Sequence, residues 1–252
     1  MSSQPILKVS GVETYYGNIR ALAGVDVEVH KGEIVSLIGA NGAGKSTLMM
    51  TICGSPQARA GQVIFDGEDI TSEPVDQIIQ RGISRTFQLT HLFPELSVLE
   101  NARIAAQARE PRRWQFFGGG DVLERSREQA LAAIERLRLS EHVNTPAGLL
   151  SHGDQRLLEV AMAISQRPKL LLLDEPTQGL SIEETANAVE ILRDMLSGGG
   201  LTVVLVEHDM EVVFGLADKI TVLHRGAVIA DGTPDQVKAD AAVQEAYLGG
   251  FE

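Results

Sequence analysis

Residues 34–47 read IVSLIGANGAGKST, a short apolar run followed by a glycine-rich loop and a polar helix start. The apolar part has the near-continuous hydrophobic character of a buried central strand. The loop, residues 39–46, fits the pattern G-x-x-x-x-G-K-[ST], in which glycines let successive backbone N–H groups turn inward around phosphates. The partial positive charge at the start of the following helix adds to that attraction. The stretch therefore predicts a strand, a phosphate-binding loop and a helix, in that order.

Most residues of this loop have an expected contact with a nucleoside triphosphate. Lys45 is expected to reach the β- and γ-phosphates, and the Ser46 hydroxyl is expected to bind Mg²⁺. The other nucleotide contacts are expected from Gly39, Asn41, Gly42, Ala43, Gly44 and Thr47.

Composition and charge narrow the class of protein. The chain has 252 residues, of which 44% are hydrophobic and 22% are charged, as in ordinary soluble globular proteins. The formal net charge of −12 argues against broad nucleic-acid binding, which normally leaves a basic footprint. The first residues lack the pattern of a signal peptide, and the longest apolar runs are far below the ~18 residues of a membrane span. We therefore expect a cytosolic protein, with a membrane partner left open.

Three apolar runs separated by helical stretches indicate a mostly parallel sheet with helices on its faces, which is an α/β fold. The runs are residues 34–38, 170–173 and 202–206. Nearer the N-terminus, Val25, Val27 and Val29 alternate with acidic residues, which predicts a half-solvated antiparallel strand. After the last run, residues 220–230 predict a hairpin that turns at residues 224–226.

The middle of the chain has no strand pattern between about residues 87 and 169. Ser97 and Ser151 are each followed three residues later by an acidic residue, a helix-opening signal, and residues 122–139 predict a longer amphipathic helix after a glycine break at residues 118–120. We therefore predict a single domain over residues 1–252. Residues 1–87 and 169–252 would form the core with its antiparallel β-subdomain, and residues 88–168 an inserted α-helical subdomain.

Two acidic residues, Asp174 and Glu175, directly follow the apolar run at residues 170–173. An aspartate at a strand end beside a phosphate loop can hold the hydration shell of Mg²⁺, and the adjacent glutamate can polarise an attacking water as a general base. His208 follows the run at residues 202–206 and is expected near the same γ-phosphate. Each feature alone is an ordinary strand end, but beside a phosphate loop they predict a nucleoside triphosphatase.

With these motifs in this order, the sequence resembles the ATP-binding subunits of ABC transporters over nearly its whole length. Residues 39–46 and 170–174 resemble the Walker A and Walker B motifs, and residues 150–155, LSHGDQ, resemble the signature motif LSGGQ. Gln88 matches the Q-loop glutamine, His208 the switch histidine, and Tyr16 the aromatic residue that stacks on adenine. The fold implied is a P-loop NTPase core with a mostly parallel central sheet, an N-terminal antiparallel β-subdomain and an α-helical subdomain.

The resemblance implies an ATP hydrolase that uses ATP and Mg²⁺. The residues implied in catalysis are Glu175, His208, Gln88 and Lys45, and those implied at the metal are Ser46, Gln88 and Asp174. Two copies would enclose two ATP molecules head to tail, so that Ser151, Gly153 and Gln155 of one subunit meet the nucleotide of the other. Closure on ATP and opening after hydrolysis would then drive transport.

Two positions depart from the family pattern. His152 stands where the signature has its first glycine, and a positive φ at that position would disfavour it. Ser181 stands where the D-loop has its aspartate, which puts the cross-dimer contact of that aspartate in doubt, and with Glu184 it predicts a capping box. Neither change touches Lys45, Asp174 or Glu175, so hydrolysis is still expected.

Several details are similar to the ATPases of branched-chain amino acid importers, a group that also serves related amide and urea-like solutes. They are residues 86–88 with 92–95, the variant signature, residues 207–210 and the ending at residues 246–249. The interval between Lys45 and Ser151 is too short for the coiled-coil arm of nucleic-acid-handling relatives. A lipopolysaccharide-export ATPase, which shares the Tyr-Leu-Gly ending, and a soluble ABC ATPase with a regulatory or assembly role remain alternatives.

An importer ATPase implies several partners. They are a second ATPase subunit, identical or related, integral membrane permeases and, indirectly, a solute-binding protein, with no nucleic acid. The chain would lie peripherally on the cytoplasmic face of the inner or plasma membrane. Residues 88–100 are the expected docking groove, with Leu92 and Phe93 either as anchors or as core residues. Trp114, Phe116 and Phe117 would contact the permease or lipid headgroups, or pack within the subdomain.

Overall fold

The structure is a computed structural model that describes residues 4–86, 92–109, 120–197 and 200–245. Its elements in chain order are β1 (Leu7–Tyr16), β2 (Ile19–Val29), β3 (Ile34–Ile38), α1 (Lys45–Ile52), β4 (Ala60–Phe65), β5 (Glu68–Asp69), α2 (Val75–Arg81), β6 (Ile83–Arg85), α3 (Val98–Ala108), α4 (Gly120–Arg136), 3₁₀ turns at Ser140–His142 and Ala147–Leu149, α5 (His152–Ser165), β7 (Leu170–Asp174), α6 (Ile182–Ser197), β8 (Thr202–Val206), α7 (Met210–Leu216), β9 (Lys219–His224), β10 (Ala227–Gly232), α8 (Pro234–Ala239) and α9 (Ala241–Val243). Across the described ranges, no helix is both long and apolar enough to cross a lipid bilayer.

The chain divides into two compact units, one formed by residues 1–81 and 200–252 and the other by residues 82–199. In this division, residues 170–197, which form β7 and α6, belong to the same unit as the inserted helices. The predicted subdomain boundaries at residues 88 and 168 follow motif positions rather than contacts, and they stay a prediction.

An antiparallel sheet in the first unit has the strand order β2-β1-β4-β5. Val25, Val27 and Val29 of β2 are buried while Asp26 between them is exposed, so the predicted half-solvated strand is confirmed. Period-two alternation places every second side chain on the same face, and one face of this sheet therefore carries the apolar set.

The remaining strands of the first unit support the phosphate loop. The strand β3 pairs in parallel with β8 on one side and with β9 on the other, and β10 pairs antiparallel with β9. Four of the five residues of β3 and all of β8 are buried, as predicted for central strands. The predicted hairpin also forms, with its turn between β9 and β10.

In the second unit, β6 pairs in parallel with β7, and helices α3, α4 and α5 pack against one another. The start of α4 corrects one prediction, because Gly120, taken as part of a helix break, is the first residue of the helix. The helix also ends at Arg136 rather than at Leu139, since Arg138 adopts a φ of 56°, which a continuing α-helix does not allow. The short elements α2, with seven residues, and β6, with three, are not predicted, because neither is long enough for a hydrophobic period to repeat several times.

Candidate nucleotide site

The phosphate loop of the first unit forms as predicted between β3 and α1. Gly39, Gly42 and Gly44 have φ angles of 151°, 80° and 109°, which residues other than glycine rarely adopt. A Cβ atom on Gly39 would lie 2.2 Å from the carbonyl oxygen of Leu223, so that glycine is required by space as well as by conformation. The loop sequence places the expected helix at residues 47–53, but the helix begins at Lys45, because the left-handed Gly44 already serves as its N-cap.

Lys45 lies within the loop rather than outside it. Its side chain is buried, and its Nζ donates hydrogen bonds to the carbonyl oxygens of Gly39 at 2.7 Å and Ala40 at 3.3 Å. Asn41 and Gly42 are exposed at the tip of the loop, and Ser46 is partly exposed in the first turn of α1. The ammonium group is thus held at the loop, where a phosphate chain would meet it.

The β9–β10 turn is hydrogen-bonded to the phosphate loop, a contact that the sequence does not reveal. The N–H of Gly226 donates to the carbonyl oxygen of Ala43, and the N–H of Ala23 donates to the carbonyl oxygen of Gly226, both at 2.8 Å. Gly226 has a φ of 81°, and a Cβ atom there would lie 2.5 Å from the carbonyl oxygen of Ala21. The only signal in the sequence is the turn-forming pair Arg225-Gly226, which predicts a turn but does not predict that the turn contacts the phosphate loop.

The residue predicted to stack on adenine, Tyr16, is accessible in the first unit. Tyr16 ends β1 with 45% of its surface exposed. The adjacent Tyr15 is engaged instead, because its hydroxyl donates to Glu13 at 2.8 Å and its ring lies 4.6 Å from the Arg59 guanidinium. Of the two tyrosines, Tyr16 therefore has the ring surface that a base can cover.

His208 follows β8 and is exposed, as expected for a residue that meets a nucleotide. Its backbone N–H donates to the carboxylate of the buried Glu207 at 3.1 Å. The next residue, Asp209, caps α7 by accepting from the N–H groups of Glu211 and Val212. The backbone around His208 is thereby fixed on both sides.

The acidic pair in the second unit ends β7, where both residues are buried. Asp174 Oδ2 pairs with Arg85 Nη2 at 2.6 Å, and the Asp174 N–H donates to the Thr86 hydroxyl at 3.1 Å. Asp174 Oδ1 is buried without a hydrogen-bond partner among the described residues. A buried carboxylate oxygen that accepts no hydrogen bond suits Mg²⁺, which prefers oxygen ligands and usually takes one or two carboxylates. Arg85 is a site residue that the sequence analysis missed.

Glu175 has a φ of 53°, which is uncommon for a residue with a side chain. Such a conformation costs about 1–3 kcal/mol and is found where the surrounding structure dictates it, often at active sites. Here the turn that follows fixes it, since the Gln178 N–H donates to the Glu175 carbonyl oxygen at 3.1 Å.

The signature run opens α5, as predicted. Ser151 is its N-cap, with the Asp154 N–H donating to the Ser151 hydroxyl oxygen at 3.1 Å and the hydroxyl donating to the Asp154 carboxylate at 2.8 Å. His152 is the first helical residue and does not have a positive φ, so this backbone does not require glycine there. The Gln155 side-chain amide donates to the carbonyl oxygens of Ala147 and Leu150, both at 3.3 Å.

The two departures from the family pattern lie in one cluster, in which Ser181 is hydrogen-bonded to Glu184 and His152 is a near neighbour. The predicted capping box at the start of α6 is confirmed, because the Glu184 N–H donates to the Ser181 hydroxyl and the Ser181 N–H donates to the Glu184 carboxylate. The same carboxylate accepts from the Gly153 N–H at 3.3 Å. A Cβ atom on Gly179 would lie 3.3 Å from His152 Cε1. Hydrogen bonds from the Ser181 backbone and hydroxyl, and then from the Gly153 backbone, lower the pKa of Glu184 from its ordinary value.

Part of the predicted docking groove is described. Phe93 is 49% exposed, while Leu92 is partly buried, so of the two predicted anchors Phe93 has the more accessible ring. The buried Asn101 fixes this segment, accepting from the Phe93 N–H at 2.8 Å and donating to the carbonyl oxygens of Phe93, Leu96 and Ser97. Gln88, the aromatic cluster Trp114, Phe116 and Phe117, and the ending at residues 246–249 lie outside the described residues.

Comparisons with known proteins agree with these features. The family profile described as ABC transporter matches residues 22–178, and that described as branched-chain amino acid ATP-binding cassette transporter matches residues 227–252. The high-affinity branched-chain amino acid transport ATP-binding protein BraF of Pseudomonas aeruginosa is 39% identical to this chain, covering 98% of the chain and 99% of that protein.

Solved structures extend the similarity to the fold. A nucleotide-free ATP-binding cassette from an ABC transporter superposes with a TM-score of 0.83 at 30% identity, covering 97% of this chain and 99% of its own. A bacterial ABC transporter cassette whose structure is dimeric superposes with a TM-score of 0.76 at 28% identity, covering 90% and 98% respectively. The predicted fold class is confirmed.

Proposed function

The chain belongs to the ABC transporter family of ATPases, and from this premise we propose that it powers the import of branched-chain amino acids or related small solutes through membrane permeases. The solute class is supported by the match of residues 227–252 to the branched-chain amino acid group and by the full-length similarity to BraF. The same match favours this group over the lipopolysaccharide-export alternative.

The phosphate loop carries the proposal for ATP. Its backbone N–H groups and Lys45 would bind the phosphates, with the ribose and base extending toward the exposed ring of Tyr16. The proposed metal ligands are Ser46, Gln88 and Asp174, and the open oxygen of buried Asp174 is the observation that supports a cation there. Mg²⁺, when bound, neutralises charge that develops between the β- and γ-phosphates.

Glu175 is the proposed general base. Its carboxylate would accept a proton from the water that attacks the γ-phosphate, while His208 and Gln88 would orient that water and the phosphate. The burial of Glu175 and its fixed backbone support this role, because a positioned base needs little rearrangement before the transition state.

Two subunits are proposed to close head to tail on ATP. The exposed Ser151 caps the start of α5, where a hydroxyl, backbone N–H groups and the positive helix end can meet an anion. Ser151, Gly153 and Gln155 would thus act on the nucleotide of the partner subunit. The dimeric structure of a 28% identical cassette supports such an assembly. The partner would be a second copy or a related ATPase.

The membrane partners are proposed to dock at the exposed segment that contains Phe93. The permease would hold the ATPase peripherally at the cytoplasmic face of the membrane and receive solute from a binding protein on the other side. Asn101 supports this proposal by fixing the segment through four hydrogen bonds, since a preformed contact loses less conformational entropy on docking.

The test combines an ATPase measurement with a complementation measurement. Glu175→Gln should abolish hydrolysis and accumulate an ATP-bound dimer, detected by light scattering, whereas hydrolysis at the normal rate would show that Glu175 is not the base. Lys45→Ala and Ser151→Ala should each lower ATP hydrolysis by the dimer. Mixing the two variants should restore activity, because each mixed dimer contains one intact site, and failure to restore any activity would contradict the head-to-tail arrangement.

A further inference from the structure

We propose that the carboxylate of Glu184 competes with the phosphate of a partner-bound nucleotide for the backbone N–H of Gly153, and so sets the ATP concentration at which two subunits close. Glu184 would be a positioning residue that holds the signature helix start in a resting state. This inference rests on the proposed head-to-tail dimer. It adds a group of the same chain, the Glu184 carboxylate, that competes with the nucleotide of the partner.

Glu184 joins two helix starts with its two carboxylate oxygens. Oε1 accepts from the Gly153 N–H at 3.3 Å in the first turn of α5. Oε2 accepts from the Ser181 N–H at 3.0 Å and from the Ser181 hydroxyl at 2.8 Å at the start of α6. An anion therefore already lies at the Gly153 N–H, at the end of α5 that attracts negative charge.

The lengths of these bonds indicate which contact opens first. The two bonds to Ser181 are of ordinary length, whereas the bond to Gly153 is at the long end of the hydrogen-bond range. A nucleotide phosphate, with more negative charge than a carboxylate, would form the stronger charge-assisted bond at the same N–H. Glu184 can thus leave Gly153 while Ser181 keeps it in place.

The departure at Ser181 makes this contact possible. The Ser181 hydroxyl donates a proton to Glu184, and an ionised aspartate at the same position has no proton to donate and would repel the carboxylate. His152 adds to the arrangement, since it is the residue beside Gly153 and its electrostatic effect favours the ionised form of Glu184, lowering the pKa of that carboxyl. The two departures together therefore favour a carboxylate beside Gly153.

The contact should oppose dimer closure without affecting ATP binding to one subunit. The Gly153 N–H would contact only the nucleotide of the partner, so its occupation by Glu184 changes nothing at the phosphate loop of the same chain. The affinity of the monomer for ATP and the ATP concentration for half-maximal dimerisation should then respond independently.

The experiment measures ATP-driven dimerisation of the full chain in the Glu175→Gln background by sedimentation velocity with Mg²⁺ and ATP. Glu184→Gln, which replaces the charged acceptor by a neutral one, should lower the half-maximal ATP concentration by about two- to fivefold, the scale of one charge at a helix start. Glu184→Ala, which removes the carboxylate acceptor altogether, should produce a similar decrease. Binding of a fluorescent ATP analogue to the monomer should be unchanged in both.

The matched control is Glu183→Gln, which removes a charge from the same first turn of α6 without touching Gly153. A half-maximal ATP concentration that is unchanged or raised in the Glu184 variants, or shifted equally by the control, overturns the competition while leaving the dimer intact. If Glu175→Gln alone forms no ATP-dependent dimer, the proposed function and this inference are both overturned.

Discussion

Replacement of Gly226 by alanine should weaken ATP binding although the residue contacts no expected ligand. Gly226 lies in the β9–β10 turn, where its N–H donates to Ala43 of the phosphate loop and its carbonyl oxygen accepts from Ala23. Its φ of 81° is unfavourable for alanine, and the added Cβ would lie 2.5 Å from the carbonyl oxygen of Ala21. Because backbone cannot yield as a flexible side chain can, the turn must move and disturb both hydrogen bonds.

The size of the effect follows from these contacts. A left-handed conformation costs an L-residue roughly 1–2 kcal/mol, and each disturbed hydrogen bond contributes about 0.5–1.5 kcal/mol. We therefore expect the free energy of unfolding to fall by about 2–5 kcal/mol in Gly226→Ala. The hydrogen bond to Ala43 is the one that holds the phosphate loop itself. Loss of its contribution to the free energy should lower ATP affinity roughly two- to tenfold.

Gly67→Ala is a matched control in the same unit. Asp66 and Gly67 have φ angles of 51° and 83°, nearly those of Arg225 and Gly226, but a Cβ atom on Gly67 would meet no atom within 4 Å. This variant should lose about 1–2 kcal/mol of stability and keep its ATP affinity. Urea unfolding and titration with a fluorescent ATP analogue measure the two quantities. Wild-type ATP affinity in Gly226→Ala, despite its lower stability, would refute the idea that the turn holds the loop.

Two further predictions concern carboxylates. Hydrogen bonds, first from the Thr71 hydroxyl, lower the pKa of Asp69, so its ionised form stabilises the fold at neutral pH and this contribution disappears as the pH falls below about 4. Urea unfolding should accordingly show Asp69→Asn less stable than the parent at pH 7, with a difference that shrinks as the pH falls below the ordinary aspartate pKa, and a constant difference would contradict this. Arg85→Ala should cost about 3–5 kcal/mol by leaving Asp174 buried without its cation. Adding Asp174→Asn should recover part of that loss, and strictly additive losses would show that the pair is not coupled.

The sequence predicts those parts of the site that depend on local backbone. The phosphate loop, the serine cap of α5 and the capping box at Ser181 each arise within a few residues, and the structure confirms all three. The central strands are equally predictable, since a buried strand must be apolar along its length.

The missed residues act across long sequence separations. Arg85 meets Asp174 through the pairing of β6 with β7, and Gly226 meets Ala43 because β9 lies beside β3. Register and strand order decide such contacts, and no local pattern encodes either of them. Arg85 also lies in a three-residue strand that is too short to show periodicity.

The glycine at position 153 shows how a structure separates requirements of the fold from requirements of a ligand. Gly39 and Gly226 are dictated within the chain, by φ angles and by contacts that a Cβ atom would violate. Gly153 has no positive φ, and a Cβ atom there would make only ordinary contacts, at 3.5 Å from Glu184. A helical position that could accept alanine loses about 0.5–1 kcal/mol by carrying glycine. Gly153 is buried and its N–H already donates to Glu184 at 3.3 Å, so the backbone of this chain does not by itself require glycine there, and the proposed approach of a partner nucleotide gives a reason for a residue without a side chain.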